Sequence, residues 1–430
     1  MLSRRQFLGG ALALGAGVGA AYALKPRAGN THHSPYFSQL SQALRTAGIG
    51  SPTLILDQTR CEHNLRTVAA QVGTHKHLRI VTKSLPCLNL LQRTAQAWGT
   101  QRQMVFNYPM LLTLAQSMPQ ADLLLGKPLD PIELPSFFQR LSQTRATEFD
   151  PARQIQWLVD TPETLKAYLE FARAQSHALR LNIEIDVGLH RGGVPDTATL
   201  NTMLDMISNE PLAQFSGLMG YDPHVVKVPN ILHNRAKAQA HAQALYRAFR
   251  EFALRHPASR LAPEQLTLNT AGSPTYRLHI DNPDVNELSI GSAVVKPSDF
   301  DSELLSELQA ALYIATPILK VRDFSLPYGA QTVSRISRWW DVNQAKSVII
   351  HGGEWRAQVV SPEGVQPSEL YGTSTNQKVM TAAPEFAYSA GDYVFFRPIQ
   401  SEMLMLQFGG LAVYDGQRLS EHWPTFAASA

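Results

Sequence analysis

The sequence predicts an α/β fold with a closed (β/α)8, TIM-like barrel, followed by an all-β C-terminal domain. Short apolar runs alternate with helical stretches between residues 51 and 300, which is typical of βαβ units and a parallel sheet. About eight such units fit a closed barrel better than an open sheet. After residue 300 the apolar runs are separated by turn residues with little helix, which indicates a second domain.

Each barrel strand is predicted from a short apolar run, and each helix from apolar residues at helical spacing. The first strand is expected at Pro52–Asp57 and the first helix at Cys61–Gly73, where the glycine ends it. A second strand, Leu78–Lys83, and a second helix, Leu88–Gly99, repeat the pattern. The later strands are predicted in QMVFNY, ADLLLG, IQWLVD, LRLNIEID, FSGLMGY and LTLNTAG, and the clearest later helices in TPETLKAYLEFARAQ and HNRAKAQAHAQALYRAFREFALRH.

The C-terminal domain is predicted to span residues 301–430. Its strands are expected in AALYIATPILKV, SVIIHGG, RAQVVSPEG, GDYVFFRP and GGLAVYDG. Residues 34–50, which precede the barrel, are expected to pack on this domain.

The composition indicates a globular protein of more than one domain. The chain has 430 residues, of which 44% are hydrophobic and 17% are charged. The net charge of +3, without a long basic run after residue 30, argues against nucleic acid as a partner. The two cysteines, Cys61 and Cys87, are too few for a disulfide framework and leave a single bridge open.

The N-terminal residues 1–29 have the pattern of a twin-arginine export signal. Arg4 and Arg5 precede the apolar stretch Gly9–Leu24, which at about 16 residues is short for a membrane span. A cleavage site is expected at Ala21–Ala23. The sequence therefore predicts a periplasmic or secreted protein with no membrane partner in its mature form. An ordinary secretory signal or an uncleaved anchor is the alternative.

Polar and glycine-rich groups follow five of the predicted strands, where the active sites of barrel enzymes lie. They are Lys83, IDVGLHRGG (185–193), GYDPH (220–224), NTAGSPTY (269–276) and ELSIGS (287–292). Burial at a strand end lowers the pKa of an amine and keeps it nucleophilic, which makes Lys83 a candidate catalytic residue. The alternative is a surface lysine after a strand. Lys76 precedes the strand, in the polar run GTHKH.

The turns TAGS (270–273) and GS (291–292) are candidate phosphate sites. Tight turns present backbone N–H groups to an anion without obstructing side chains, and barrels often bind phosphate at their last two strands. Two simple turns between strand and helix are the alternative.

The ordered set EIDVGLHRGGV, GLMGYDPH, TLNTAGSPTY and ELSIGS resembles the fold-type III pyridoxal-phosphate enzymes. The similarity is to the branch of D-threonine aldolase and D-serine dehydratase, with alanine racemase as a more distant relative. It runs from about Ser51 to the C-terminus, and it implies a D-serine dehydratase-like C-terminal domain. It also implies that Lys83 forms a Schiff base with pyridoxal 5′-phosphate.

The resemblance assigns roles to the other strand-end residues. It implies that the phosphate of the cofactor is held by Thr270, Gly272, Ser273, Gly291 and Ser292. It implies that Arg191 contacts the phenolate oxygen of the cofactor or the substrate carboxylate, and that the Tyr221 ring lies against the pyridine ring of the cofactor. It implies that His224 contacts the substrate or a metal-bound water. Ser289 occupies the position where alanine racemase carries an arginine facing the pyridine nitrogen. Three of these residues also have a structural alternative. Arg191 could form a surface salt bridge, Tyr221 could be a core tyrosine, and His224 could be a structural histidine.

The resemblance also implies a metal site, from which this sequence departs. The relatives bind a divalent metal through His-x-Cys or His-x-Asp, where this chain has Gln400 and Glu402. Zinc prefers nitrogen and sulfur ligands, whereas oxygen ligands suit Mn²⁺ or Mg²⁺. The zinc site is therefore expected to be lost, with a Mn²⁺ or Mg²⁺ site or no metal at all as the remaining possibilities.

The function expected from this resemblance is a lyase similar to D-threonine aldolase, acting on D-β-hydroxy amino acids as a homodimer. One alternative is a pyridoxal-phosphate-dependent racemase, for which Tyr371 and Tyr388 are candidate second acid–base groups. The other is a non-catalytic protein that binds pyridoxal phosphate or amino acids, suggested by the loss of the metal ligands.

Overall fold

The computed structural model describes residues 25–144, 148–368, 371–372 and 374–427 and divides the chain into two compact units. One unit contains the described residues of Leu56–Leu312 and Ile399–Val413, together with residues 421–427. The other contains residues 25–55 and the described residues of Tyr313–Pro398 and Tyr414–Ser420. Of the predicted signal, residues 1–29, the first 24 lie outside the described residues.

The first unit is built on a closed barrel of eight parallel strands, β2 to β9, so the predicted fold class is confirmed. The ring closes where β2 pairs with β9, with Ile80 opposite Ile290. The strands are β2 (His77–Val81), β3 (Arg102–Val105), β4 (Asp122–Leu125), β5 (Ile155–Val159), β6 (Leu179–Ile185), β7 (Ala213–Gly220), β8 (Thr267–Thr270) and β9 (Glu287–Ile290).

The helices of this unit connect the barrel strands. They are α2 (Gln58–Val72), α3 (Leu88–Trp98), α4 (Tyr108–Ser117), α5 (Leu134–Ser142), α6 (Pro151–Gln154), α7 (Pro162–Gln175), α8 (Thr197–Ser208), α9 (His224–Lys227), α10 (Asn234–Arg255) and, near the C-terminus, α12 (Ser401–Phe408). Side chains at their starts satisfy backbone N–H groups that helix geometry leaves free: Asp57 caps α2, Asn107 caps α4 and Thr161 caps α7.

The barrel interior contains a buried ion cluster. The guanidinium of Arg79 donates to Glu287 at 2.5 Å and to Asp122 at 2.6 Å, and Arg102 donates to the second oxygen of Glu287 at 2.6 Å. Although burial alone would raise the pKa of Glu287, Arg79 holds that pKa below its ordinary value. Removing one partner of such a pair leaves an uncompensated buried charge, which typically destabilises a protein by about 3–5 kcal/mol.

The chain also forms a nine-stranded, mostly antiparallel sheet, as predicted for a β-domain. Its strands are β1 (Thr53–Asp57), β10 (Leu312–Asp323), β11 (Lys346–His351), β12 (Ala357–Ser361), β13 (Gln366–Pro367), β14 (Gln377–Ala382), β15 (Tyr393–Pro398), β16 (Gly410–Tyr414) and β17 (Leu419–Pro424). The order is β13-β14-β11-β10-β1-β16-β17, with β15 pairing with both β10 and β12.

Helix α1 (Pro35–Thr46) contributes to the core of the second unit. Its residues Leu40, Ala43 and Leu44 recur at helical spacing and are buried among Ala315, Tyr393 and Phe395. Each fully buried leucine contributes about 2 kcal/mol of hydrophobic stabilisation. Residues 34–50 thus lie in the same unit as Tyr313–Pro398.

Three features differ from the sequence prediction. The strand predicted first in the barrel, β1, belongs to the other sheet, because its apolar pattern suits either sheet. The C-terminal region contains two helices, α11 (Gln331–Trp340) and α12, where little helix was expected. Residues 399–413 and those after 420, predicted within the β-domain, group with the barrel unit.

Cys61 and Cys87 are both buried and unbridged. Within the described residues no helix is both long and apolar enough to cross a membrane.

Candidate active site

A cavity of about 510 Å³ lies at the C-terminal ends of the barrel strands. Its volume falls in the range of about 300–1,000 Å³ that is common for small-molecule sites. Most of the residues singled out from the sequence line it: Lys83, Arg191, Tyr221, Gly272, Ser273, Gly291, Ser292, Gln400 and Glu402.

The backbone around Lys83 is fixed on both sides of the lysine. Strand β2 ends at Val81, and a single 3-10 turn, Thr82–Ser84, carries Lys83. The hydroxyl of Thr82 donates to the carbonyl of Met104 at 2.6 Å, which ties this turn to β3. Lys76, by contrast, donates its amine to two backbone carbonyls and is a structural residue.

The amine of Lys83 faces the cavity beside an aromatic ring. Its Nζ lies 4.5 Å from the centre of the Phe106 ring. Burial lowers the pKa of Lys83, the Glu402 carboxylate opposes that shift, and Arg191 and Lys127 add to it. The pKa change favours the uncharged, nucleophilic form of the amine.

The ends of β8 and β9 form a small, backbone-rich wall. The hydroxyl of Ser273 accepts hydrogen bonds from the N–H groups of Gly291 at 3.1 Å and Ala293 at 3.0 Å. A Cβ at Gly291 would lie 2.8 Å from the Cβ of Ser84, so only glycine lets the ends of β9 and β2 approach this closely. A Cβ at Gly272 would lie 2.9 Å from the Tyr221 ring.

A series of buried hydrogen bonds fixes the TAGS turn (270–273). The N–H of Gly272 donates to the hydroxyl of Thr275 at 3.3 Å, and that hydroxyl donates to Asp222 at 2.8 Å. The second oxygen of Asp222 lies 2.7 Å from Nε2 of His279. Because Thr275, Asp222 and His279 are all buried, these hydrogen bonds fix the turn against the barrel wall.

Arg191 and Tyr221 are brought together at one side of the cavity. The guanidinium of Arg191 lies 5.1 Å from the centre of the Tyr221 ring. Burial raises the pKa of Tyr221 above its ordinary value, and Arg191 opposes that shift. Burial and Asp160 raise the pKa of Glu184 to about 7, and Arg191 opposes this shift.

Two predicted site residues do not line the cavity. Thr270 is buried, and its hydroxyl donates to the carbonyl of Gly220 at 3.1 Å, so the barrel wall uses the group that was expected to bind phosphate. His224 begins α9, and its Nδ1 is buried without a hydrogen-bond partner among the described residues. Burial lowers the pKa of His224.

Ser289 and Asn269 form a polar part of the cavity wall. The amide of Asn269 donates to Ser289 at 2.8 Å and to Glu287 at 2.8 Å. This contact connects the cavity to the buried Arg79–Glu287 pair. A cofactor ring at this wall would meet the neutral hydroxyl of Ser289 and the amide of Asn269.

Gln400 and Glu402, the residues at the positions of the relatives' metal ligands, lie at the start of α12. The amide of Gln400 donates to Asp299 at 3.2 Å. Burial raises the pKa of Glu402, against the opposing effect of Lys83 and Lys127. No cluster of three or more histidine, cysteine, aspartate or glutamate side chains suited to a metal ion occurs in the described part of the chain. The residues present do not fit the metal centre expected from the resemblance.

The tyrosines considered as a second acid–base group lie in the β-domain unit. The hydroxyl of Tyr371 donates to the carbonyl of Ser325, and the hydroxyl of Tyr388 accepts from the N–H of His33 at 2.8 Å. Neither is among the residues that line the cavity.

Several residues of the site were not predicted from the sequence. Phe106 follows β3, and Gly126 and Lys127 follow β4, so the rule that identified Lys83 could have found them. A Cβ at Gly126 would lie 2.3 Å from the Phe106 ring, so the glycine makes room for that ring. Lys227, at the end of α9, and Asp299 line the cavity without any sequence signal that we identify.

The residues of the cavity fit pyridoxal phosphate. An amine with a lowered pKa stands at the end of β2, and a side-chain-poor wall of glycine and serine stands at the ends of β8 and β9. Arg191 and Tyr221 lie together at the cavity. The amine can react with the aldehyde of the cofactor, the glycine and serine wall can bind its phosphate, and Arg191 and Tyr221 can contact its aromatic ring.

Comparison with known proteins agrees with this fit. The sequence matches the family described as "Alanine racemase, N-terminal domain" over residues 56–299. No curated protein matches the sequence.

Three solved structures illustrate the similarity of fold. D-threonine aldolase from Filomicrobium marinum is 17% identical with a TM-score of 0.67, covering 87% of this chain and 96% of its own. D-threo-3-hydroxyaspartate dehydratase from Delftia sp. HT23 is 16% identical with a TM-score of 0.69, covering 89% and 98%. Alanine racemase from Corynebacterium glutamicum is 15% identical with a TM-score of 0.57, covering 84% and 93%. Since the family match covers more than half of the chain, the protein belongs to the alanine racemase N-terminal domain family, and thus to the fold-type III pyridoxal-phosphate enzymes.

Proposed function

We propose that the protein is a pyridoxal-phosphate-dependent lyase that cleaves D-β-hydroxy amino acids, as D-threonine aldolase cleaves D-threonine. One observation carries the proposal. Lys83 and Glu402 line the same cavity, and burial shifts their pKa values toward the uncharged amine and the protonated acid. Pairs of groups with shifted pKa values are typical of acid–base catalysis.

Different residues of the cavity would carry out different steps of such a reaction. Gly272, Ser273, Gly291 and Ser292 would hold the phosphate, and the Nζ of Lys83 would bond to the aldehyde carbon. When bound, the cofactor takes up the electron pair released at the substrate α-carbon. Glu402 accepts the proton of the β-hydroxyl as the bond between the α- and β-carbons breaks, and an aldehyde leaves. Before that cleavage, the substrate amine would displace Lys83 from the aldehyde carbon and pass it a proton. The resulting Lys83 ammonium would return this proton to the α-carbon, and the Lys83 amine would then displace the glycine amine at the aldehyde carbon, which releases glycine.

In this reaction Glu402 would replace the divalent metal that the resemblance implies. A carboxylate can accept the β-hydroxyl proton directly, without a divalent ion to lower the pKa of that hydroxyl. The raised pKa of Glu402 makes its carboxylate a stronger base than an ordinary glutamate.

The test is product analysis with the purified full-length protein, pyridoxal phosphate and D-threonine. Acetaldehyde and glycine are expected, and Glu402→Gln should lower the rate by about 100-fold or more. Glu303→Gln, an exposed glutamate of the same unit outside the cavity, is the matched control. The proposal fails if no D-β-hydroxy amino acid yields a carbonyl product, with or without Mn²⁺ or Mg²⁺.

An amino-acid racemase is the second candidate. The observation that favours it is the poor fit of Gln400 and Glu402 to a metal centre, since proton exchange at the α-carbon needs no electrophile at the β-hydroxyl. Loss of optical rotation without a carbonyl product would support the racemase. If pyridoxal phosphate binds but neither change occurs with any amino acid, the protein is a non-catalytic binding protein.

Export through the twin-arginine route and a homodimeric state are part of the proposal. Arg4→Lys with Arg5→Lys should retain the protein in the cytoplasm, whereas the unchanged chain should be recovered outside it. Sedimentation of the purified protein should give the mass of two chains, and a single-chain mass would contradict the dimer.

A further inference from the structure

The outward side of α11 carries apolar side chains that the structure leaves exposed. Val333, Ile336 and Trp340 recur at i, i+3 and i+7 on one face, and Trp339 adjoins them. Their exposed fractions are 51% for Val333, 60% for Ile336, 62% for Trp339 and 38% for Trp340. We call these four residues the α11 face. Tyr328, just before the helix, is 98% exposed.

The side of α11 that packs against its own unit is polar instead. Ser334 is buried, and its hydroxyl accepts the N–H of Leu326 at 2.6 Å. Ser337 donates its hydroxyl to Gln344. A helix on a soluble protein normally buries its apolar side, so this arrangement is inverted and marks α11 as an interaction surface.

The charge around the α11 face is positive. Arg335 and Arg338 are exposed on the helix, which carries no acidic residue, and Arg27 is exposed nearby in the sequence segment that packs on the helix end. Two acids belong to this region: Asp323, paired with Lys346 at 2.8 Å, and Asp341, whose side chain accepts the N–H of Asn343. Basic and tryptophan side chains around an apolar face are typical of helices that lie in the interface of a membrane.

The N-terminal segment of the described chain is attached beside this face. The amine of Lys25 lies 4.0 Å from the centre of the Trp339 ring and donates to the Trp339 carbonyl at 2.6 Å. Asn343 donates to the carbonyl of Arg27 at 2.8 Å and accepts from the N–H of Gly29 at 2.7 Å. Lys25, the first described residue, therefore lies at the end of α11 and directly follows the apolar stretch Gly9–Leu24 in the sequence.

We propose that the α11 face binds the surface of a membrane that contains anionic lipids. The leader would bring the face to the bilayer, and the tryptophans and arginines would keep it there after cleavage. A second copy of the chain that met this face with its own α11 face would bring Arg335 and Arg338 close to the same two arginines, whereas an anionic lipid surface complements them. This proposal replaces the expectation that the mature protein has no membrane partner.

The test is flotation of the full-length chain with lipid vesicles, after the leader has been made unable to insert by Leu12→Asp and Val18→Asp. Binding to vesicles of phosphatidylglycerol and phosphatidylcholine is expected, with no binding to phosphatidylcholine alone. Ile336→Asp should abolish flotation. Ile132→Asp, an isoleucine of the barrel unit that is 79% exposed, is the matched control and should leave flotation unchanged.

Additional variants separate the contributions of charge and aromatic contact. Arg335→Gln and Arg338→Gln should each weaken partitioning by about fivefold. If Ile336→Asp does not fold, Trp339→Gln takes its place, and folding of each variant is checked by thermal unfolding.

Three results would overturn the proposal. The first is that the protein does not float with anionic vesicles. The second is that Ile132→Asp and Ile336→Asp reduce flotation equally. The third is conversion of a dimer into single chains by Ile336→Asp, which would make the α11 face a contact between protein chains.

Discussion

At the scale of single residues, the ionisation of Lys83 is set by charges that oppose one another. Burial, Arg191 and Lys127 lower the pKa of its amine, and the Glu402 carboxylate raises it. An amine must be uncharged to attack an aldehyde, so the balance decides the pH at which the cofactor can be attached.

We predict that Glu402→Gln lowers the pH midpoint for attachment of pyridoxal phosphate to the cofactor-free protein. The carboxylate stabilises the charged amine, so its removal lowers the pKa of Lys83 further. Lys127→Gln removes a cation and should shift the midpoint in the opposite direction. The measurement is the rate at which the visible absorption of lysine-bound cofactor appears as a function of pH, with Lys83→Ala as the blank. Shifts of the same sign in both variants would contradict this account of the site.

A second prediction concerns the ring beside Lys83. In Gly126→Ala the new methyl group would lie 2.3 Å from the Phe106 ring, so the ring must leave its position near Nζ. We expect weaker cofactor binding in an equilibrium titration, with the fold retained by circular dichroism. Gly50→Ala, where a Cβ meets nothing within 4 Å, is the matched control. Unchanged cofactor binding in Gly126→Ala would show that the ring does not position the amine.

At the scale of elements, the Lys83 turn is completed by segments distant in sequence. The hydroxyl of Ser401, the first residue of α12, donates to the carbonyl of Ser84 at 2.7 Å. The N–H of Phe426 donates to the carbonyl of Pro86 at 2.8 Å. These two bonds hold the chain immediately after the lysine.

Ser401→Ala should therefore loosen this turn. The buried carbonyl of Ser84 would lose its donor, which is expected to reduce the free energy of unfolding by about 1–3 kcal/mol. Cofactor affinity should fall at the same time. Ser142→Ala, which removes an exposed hydroxyl bond to the Gln139 carbonyl, should change neither quantity in urea unfolding or cofactor titration.

Local sequence patterns predict some of these elements and miss others for a physical reason. The barrel class was predictable, and the strand-end patterns placed Lys83, Gly272 and Gly291 at the cavity, because each depends on a short stretch of chain. The assignment of β1 to the other sheet and the bond from Ser401 to Ser84 depend on which segments meet in space. The inverted polarity of α11 also depends on its surroundings, because an apolar stripe has the same sequence whether it is buried or exposed.

At the scale of the whole molecule, two carboxyl groups of the barrel, the buried Glu287 and the half-buried Glu184, give the free energy of unfolding opposite dependences on pH. Arg79 lowers the pKa of Glu287 in the folded protein. The contribution of Glu287 to the free energy of unfolding is therefore present above its pKa in the unfolded chain, about 4.5, and is lost as the pH falls. The pKa of Glu184 is raised to about 7, mainly by burial, so its contribution is complete below about 4.5 and is lost as the pH rises through 7.

We predict that Glu184→Gln removes the loss of stability on the alkaline side. The unchanged protein should lose up to about 3 kcal/mol of unfolding free energy from this group between pH 4.5 and pH 8, and the variant should not. Urea unfolding at several pH values measures the difference, and Glu303→Gln is the control. Parallel pH profiles for the variant and the unchanged protein would contradict the raised pKa.

The chain passes between its two units at residues 55/56, 312/313, 398/399, 413/414 and 420/421. This connectivity has a consequence for the order of events during synthesis on the ribosome. The strands of the barrel are complete once residue 290 has emerged, but Ser401 and Phe426, which hold the turn after Lys83, are made only later. The site is therefore complete only after residue 426 has also emerged. A truncated chain that stops after the barrel strands would lack these two bonds.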